Sequence, residues 1–128
     1  MTYYHQEVLR IGRQQFARPH LADQLSKARR FMDEHVCDKI DLQTVAGFSF
    51  LSKFHFIRLF KRYYGITPHA YLLEKRLELA SQWLRSEYSV VETCFRLGFE
   101  SPNTFSATFK KYSGLSPTAY KKQFLIGP

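Results

Sequence analysis

Long apolar runs are missing from this 128-residue chain. None approaches the about 20 consecutive apolar residues of a membrane-spanning helix, and the opening MTYYHQEVLR lacks the apolar core of a signal peptide. A cytoplasmic protein without membrane contact is expected. Cysteine is scarce: Cys37 and Cys94 stand far apart and fit no metal-ligand spacing, so both read as reduced, structural thiols. His5, His20, His35, His55 and His69 never fall in an HxxxH or HExxH pattern, so no metal site is expected. Paired carboxylates, a nucleophile beside a base and a phosphate-cradling glycine loop are also missing. No enzyme, cofactor or small-molecule ligand is expected from such a chain.

The most informative absence is of acid in two long segments. Residues 42–73 carry Lys53, Arg58, Lys61 and Arg62 with no Asp or Glu, and residues 101–128 carry Lys110, Lys111, Lys121 and Lys122 with none. The net charge is +8, so these eight cations are the whole surplus, and the other basic residues are balanced by the 11 acidic ones. Evenly spread basicity would serve solubility. Basicity confined to two segments points to a polyanion-facing surface, and nucleic acid is the leading polyanion.

Those two segments are also copies of one another. Ser52, Phe56, Phe60, Lys61, Tyr63, Gly65, Pro68, Ala70 and Tyr71 recur 49 residues later as Ser101, Phe105, Phe109, Lys110, Tyr112, Gly114, Pro117, Ala119 and Tyr120. A polar cap, a helix with one apolar stripe, a glycine stop and a proline restart therefore occur twice. No segment alternates with period two and no Asn-Gly hairpin turn is present, so the chain reads as all-α with about seven helices.

Residues 1–20 read as an N-terminal arm or short helix. A first helix opens at an Asp23 cap and carries Leu25, Ala28, Phe31, Met32 and Val36 on one stripe. Asp41 caps a short helix bearing Leu42, Val45 and Ala46. Ser52 caps the next, with Phe56, Leu59, Phe60 and Tyr63 inward and Phe54, Ile57, Arg58 and Lys61 outward. Gly65 stops it, and Thr67 and Pro68 open a long helix to about Arg85, with Tyr71, Leu72, Leu77, Ala80 and Leu84 buried. Ser89 and Glu92 form a capping-box pair before a short helix that Gly98 ends. Ser101 and Pro102 then open a helix with Phe105, Thr108, Phe109 and Tyr112 inward and Asn103, Ser106, Ala107 and Lys110 outward. Gly114 closes it, and Ser116 and Pro117 open the last. Two units follow, 21–75 and 76–128, each a short helix, a tight turn and a longer helix with a polar outer face. Arg76, between Glu74 and Glu78, reads as a structural ion pair, and Trp83 as core.

The segment Ile40 to Lys122 resembles the DNA-binding domain of the AraC/XylS family of bacterial transcription regulators. In the first half the similarity lies in Ala46, in SKFHFIRLFKRYYGITPHAYL from Ser52, and in Arg76, Leu77 and Ala80. In the second it lies in LGFES (Leu97 to Ser101) and TFSATFKKYSGLSPTAYK from Thr104. The resemblance implies two helix-turn-helix units joined by the long helix, entering two successive major grooves of double-stranded DNA. It places base reading at Phe54, Ile57 and Arg58 and at Asn103, Thr104 and Ala107, with Ser106 beside them on the outer stripe. Phosphate contacts fall to Ser52, Lys53, Lys61, Arg62, Ser101, Lys110 and Lys111. The chain departs from the family pattern in being apolar at Ile57 and Ala107 and in lacking a glycine near Phe50.

Alternatives stay open at this stage. Phe54 and Ile57 suit either thymine methyl groups or a satellite core, and Arg58 suits either a guanine or a structural ion pair. Each lysine suits either a phosphate or solvent. A basic helical bundle also serves as a protein-interaction module docking on an acidic partner, and family members commonly touch RNA polymerase. Most also carry a sensing or dimerising domain before this one, so the chain is either a stand-alone regulator or an excised C-terminal domain.

Overall fold

A computed structural model describes residues 20–125, and the expected arm over residues 1–20 lies outside them except for His20. Among the described residues there are seven helices and no strand: α1 (Leu21–Glu34), α2 (Leu42–Gly47), α3 (Lys53–Tyr64), α4 (Pro68–Leu84), α5 (Val90–Arg96), α6 (Pro102–Ser113) and α7 (Pro117–Leu125). They divide into two compact units, residues up to His35 with Ile40–Leu73, and Val36–Lys39 with Glu74 onward. Helix α4 begins in the first and ends in the second.

The first unit closes around the stripes that its sequence lays out. Leu21, Leu25, Ala28 and Met32 of α1 meet Val45 and Ala46 of α2, Phe56, Leu59 and Phe60 of α3 and Leu72 of α4, all buried. Two corrections concern α1. It starts at Leu21 behind His20, which makes no side-chain cap bond, so Asp23 is not the cap. Asp23 lies instead in the first turn, where its charge favours the positive end of the helix dipole. Val36, expected on the same helix, is buried beyond its end and belongs with the second unit. From α4, the Tyr71 hydroxyl donates to Asp33 Oδ1 at 2.5 Å, tying it to α1. Burial first and this bond second push the Tyr71 pKa well above its ordinary value.

In the second unit Leu77, Ala80 and Leu84 of α4 pack with Cys94, Leu97, Phe105 and Phe109. Trp83 is half-buried on the rim of that core, its ring 5.5 Å from that of Tyr88. Cys94 is the structural thiol expected, but Cys37 is exposed. The Arg76 ion pair does not form: its guanidinium is half-buried and donates to the carbonyls of Val36 at 2.8 Å and Asp38 at 2.9 Å. An arginine fork satisfies two loop carbonyls there, which no acid could do. Lys121 of α7 likewise donates to the carbonyls of Leu84, Ser86 and Tyr88, at 3.3, 2.9 and 2.8 Å, capping the end of α4.

The repeat is physical as well as textual. Ser52 Oγ accepts from the His55 amide and Ser101 Oγ from the Thr104 amide, each at 3.2 Å. Gly65 and Gly114 end their helices at φ 80° and 87°, each amide donating 2.7 Å to the carbonyl four residues back. Phe60 meets Tyr71 edge-on at 5.7 Å, and Phe109 meets Tyr120 edge-on at 5.2 Å.

The turns differ. In both units the left-handed residue lies nine positions after the cap of the short helix: Phe50 at φ 55° after Asp41, and Gly98 at φ 85° after Ser89. In both, the next amide reaches back five residues, Leu51 to Ala46 and Phe99 to Cys94. The first turn then reaches its second cap, Ser52, one residue sooner than the second turn reaches Ser101. The offset is thus 48 up to the left-handed residue and 49 after it. Glycine adopts that conformation freely, whereas a side chain there costs about 1–2 kcal/mol.

Candidate nucleic-acid interface

The exposed side of α3 is set by which residues its core face consumes. With Phe56, Leu59 and Phe60 inward, Phe54, Arg58 and Lys61 form an exposed stripe at i, i+4 and i+7. On α6, Phe105 and Phe109 are inward, and Asn103, Ala107 and Lys110 form the same stripe 49 residues later. Each unit therefore presents three exposed side chains in one register: phenyl, guanidinium and ammonium on α3, then amide, methyl and ammonium on α6.

Other expected readers sit differently. Ile57 is half-buried and packs against the first core, so its outward placement is corrected; a stripe at i, i+4 and i+7 is narrower than the periodicity suggested. Ser106, one repeat later, is also half-buried. Thr104 is exposed, and its hydroxyl accepts from Ser101 Oγ at 3.0 Å, fixing the two against each other at the start of α6. Tyr112, expected inside, is exposed.

Among the expected phosphate contacts, Lys61, Lys110 and Lys111 are exposed, while Lys53 and Arg62 are half-buried. Ser52 and Ser101 use one lone pair to cap their helices. Among the described residues no acid pairs with Arg58, whose guanidinium is exposed. The basic surplus is also smaller at the surface than the sequence count implies, because Lys121 is spent on α4.

Two features escaped the sequence reading. Lys121 gave no local signal, since its acceptors lie 33 to 37 residues away. Phe50 did leave a trace, in the missing glycine.

Residues 45–123 match the model of a helix-turn-helix domain. The chain belongs to the AraC/XylS family. A probable transcriptional regulator, LumQ of Photobacterium leiognathi, is 38% identical over 97 residues, an alignment covering 75% of this chain and 38% of LumQ. Among solved structures, the DNA-binding domain of AdpA, a global transcriptional factor in complex with a target DNA, is 32% identical with a TM-score of 0.70, over 78% of this chain and 91% of that one. An AraC-type regulator from Chromobacterium violaceum is 28% identical with a TM-score of 0.73, over 84% and 96%. This AraC/XylS chain spans between 32 and 38% of the length of the curated relatives first matched. No helix among its described residues is long and apolar enough to cross a membrane.

Proposed function

We propose that the chain binds double-stranded DNA sequence-specifically as the DNA-binding part of a transcription regulator, with α3 and α6 entering successive major grooves. The observation that carries this is the pair of matched stripes, Phe54, Arg58 and Lys61 on α3 and Asn103, Ala107 and Lys110 on α6, each on the second helix of a helix-turn-helix. Arg58 takes the O6 and N7 of a guanine, Phe54 packs on a thymine methyl, and Asn103 takes the N6 and N7 of an adenine. Thr104 and Ser106 add short polar contacts, Ala107 allows close approach, and Ile57 contributes only its exposed edge. Lys53, Lys61, Arg62, Lys110 and Lys111, with the Ser52 and Ser101 hydroxyls, hold phosphates. The DNA complex of the AdpA domain supports this reading. Work in the cytoplasm on chromosomal DNA, and contact with RNA polymerase, extend it by family.

Selection from a random duplex pool tests it. A bipartite motif should be enriched, and Arg58→Ala should cost about 1–3 kcal/mol on the selected duplex and relax the preference at one position. Failure to enrich any motif, with weak binding indifferent to sequence, would sink this reading in favour of docking on an acidic protein.

A further inference from the structure

Phe50 is an aromatic residue held where the same turn of the second unit uses Gly98. Its φ of 55° is the sole left-handed value at a non-glycine residue among those described. Such a conformation is unfavourable for any side chain and more so for a bulky one. The ring recovers nothing from the core, being 83% exposed. Local strain without local reward directs attention to something outside the chain.

The position says what that is. Phe50 lies two residues before the Ser52 cap of α3, so its Cα is within about 7 Å of the start of that helix. The N-terminal end of a recognition helix is the part that reaches the base edges, and the residues just ahead of it stand at the lip of the groove. Phe54, four residues on, is also 77% exposed. Lys53, Arg58 and Lys61 accompany these two rings, and no acid occurs anywhere from 42 to 73. Apolar surface interleaved with cations matches the edge of a DNA strand, where apolar deoxyribose alternates with phosphate.

We propose that Phe50 is a DNA contact of the first unit, its ring packing on the deoxyribose at the groove edge beside α3. This rests on the DNA-binding reading and adds to it a contact indifferent to sequence. Its signature differs from those of the base readers and of the cationic phosphate contacts: the ring carries no charge and releases no counterion, and it touches no base edge.

Phe50→Gly and Phe50→Asn both remove the ring while accepting the left-handed backbone. Each would be titrated, by fluorescence anisotropy over a salt series, against the selected duplex and a scrambled duplex. Both variants should bind both duplexes about 5- to 10-fold more weakly, the loss of one partly buried ring, with the slope of log K against log salt unchanged. Phe50→Gly should at the same time melt at a higher temperature than the parent, which shows that the affinity loss is not unfolding. Parental affinity in both variants overturns the proposal, and so does a loss confined to the selected duplex, which would put the ring on a base. Arg58→Ala separates the two levels. If it weakens the preference for the selected duplex while the Phe50 variants bind like the parent, only the Phe50 contact fails; if it changes nothing, the DNA-reading assignment itself fails.

Discussion

Thr93 shows how much one atom can matter in a core this small. The residue is fully buried on α5, and its Oγ1 is the one buried side-chain polar atom without a hydrogen-bond partner among the described residues. Valine has the same shape without the hydroxyl, so Thr93→Val should stabilise the chain by about 1–2 kcal/mol, the desolvation penalty removed. Urea unfolding should show a higher midpoint at an unchanged slope; an unmoved or lower midpoint would mean that the hydroxyl is satisfied in solution. Tyr71 gives a pH prediction with a definite sign. Its raised folded-state pKa means that the native chain holds the phenolic proton more tightly than the unfolded chain does. The stabilisation is fully present below the unfolded value of about 10 and is lost as pH climbs from there toward the folded value. Alkaline unfolding followed by circular dichroism should lose that part of its pH slope in Tyr71→Phe, which also lacks the bond to Asp33. An identical slope in parent and variant would rule the linkage out.

At the scale of the element, the charges of α6 and α7 divide by role. Lys121 holds three carbonyls at the end of α4, whereas Lys110 is exposed on the α6 stripe. Lys121→Met keeps the aliphatic stem and should cost about 1–2 kcal/mol of stability while leaving the salt slope of DNA binding unchanged. Lys110→Ala should do the reverse, leaving stability near parental and lowering the slope by up to about one. Equal slopes for the two variants would show that charge count alone governs binding. The same pair marks the limit of what sequence conveys. Caps and stops at Ser52, Gly65, Ser101 and Gly114 are short-range events, decided within four residues, and they stand where the sequence places them. So do the two buried aromatic pairs, because helical periodicity fixes which face is apolar. Arg76 and Lys121 depart from their sequence expectation for one reason: their acceptors are backbone carbonyls more than 30 residues away, and carbonyls have no letter in the sequence. Ile57 reads as outward in the sequence because a 3.6-residue period does not say how wide the buried stripe is.

At the scale of the whole molecule, two readers in one chain change what an operator must look like. A protein with one helix-turn-helix has to dimerise to span two grooves, and its site inherits two-fold symmetry. Here α3 and α6 belong to the same polypeptide and differ in chemistry, guanidinium and phenyl against amide and methyl, so one copy should suffice on an asymmetric site. The half-sites should lie about 10.5 bp apart, one turn of the duplex. The dominant half-site should be that of α3, because the Arg58 guanidinium has the donors for a bidentate bond to a guanine and the Ala107 methyl has none. Close approach by the small side chains of α6 could read groove shape instead, and would reverse the ranking. Two measurements on the selected duplex decide both points. Inserting about 5 bp between the half-sites turns one of them to the far side of the helix and should abolish tight one-to-one binding; unchanged affinity would rule out simultaneous use of two grooves. Single-base substitutions should cost more under α3 than under α6. The opposite order would move the principal reader from Phe54 and Arg58 to the second unit.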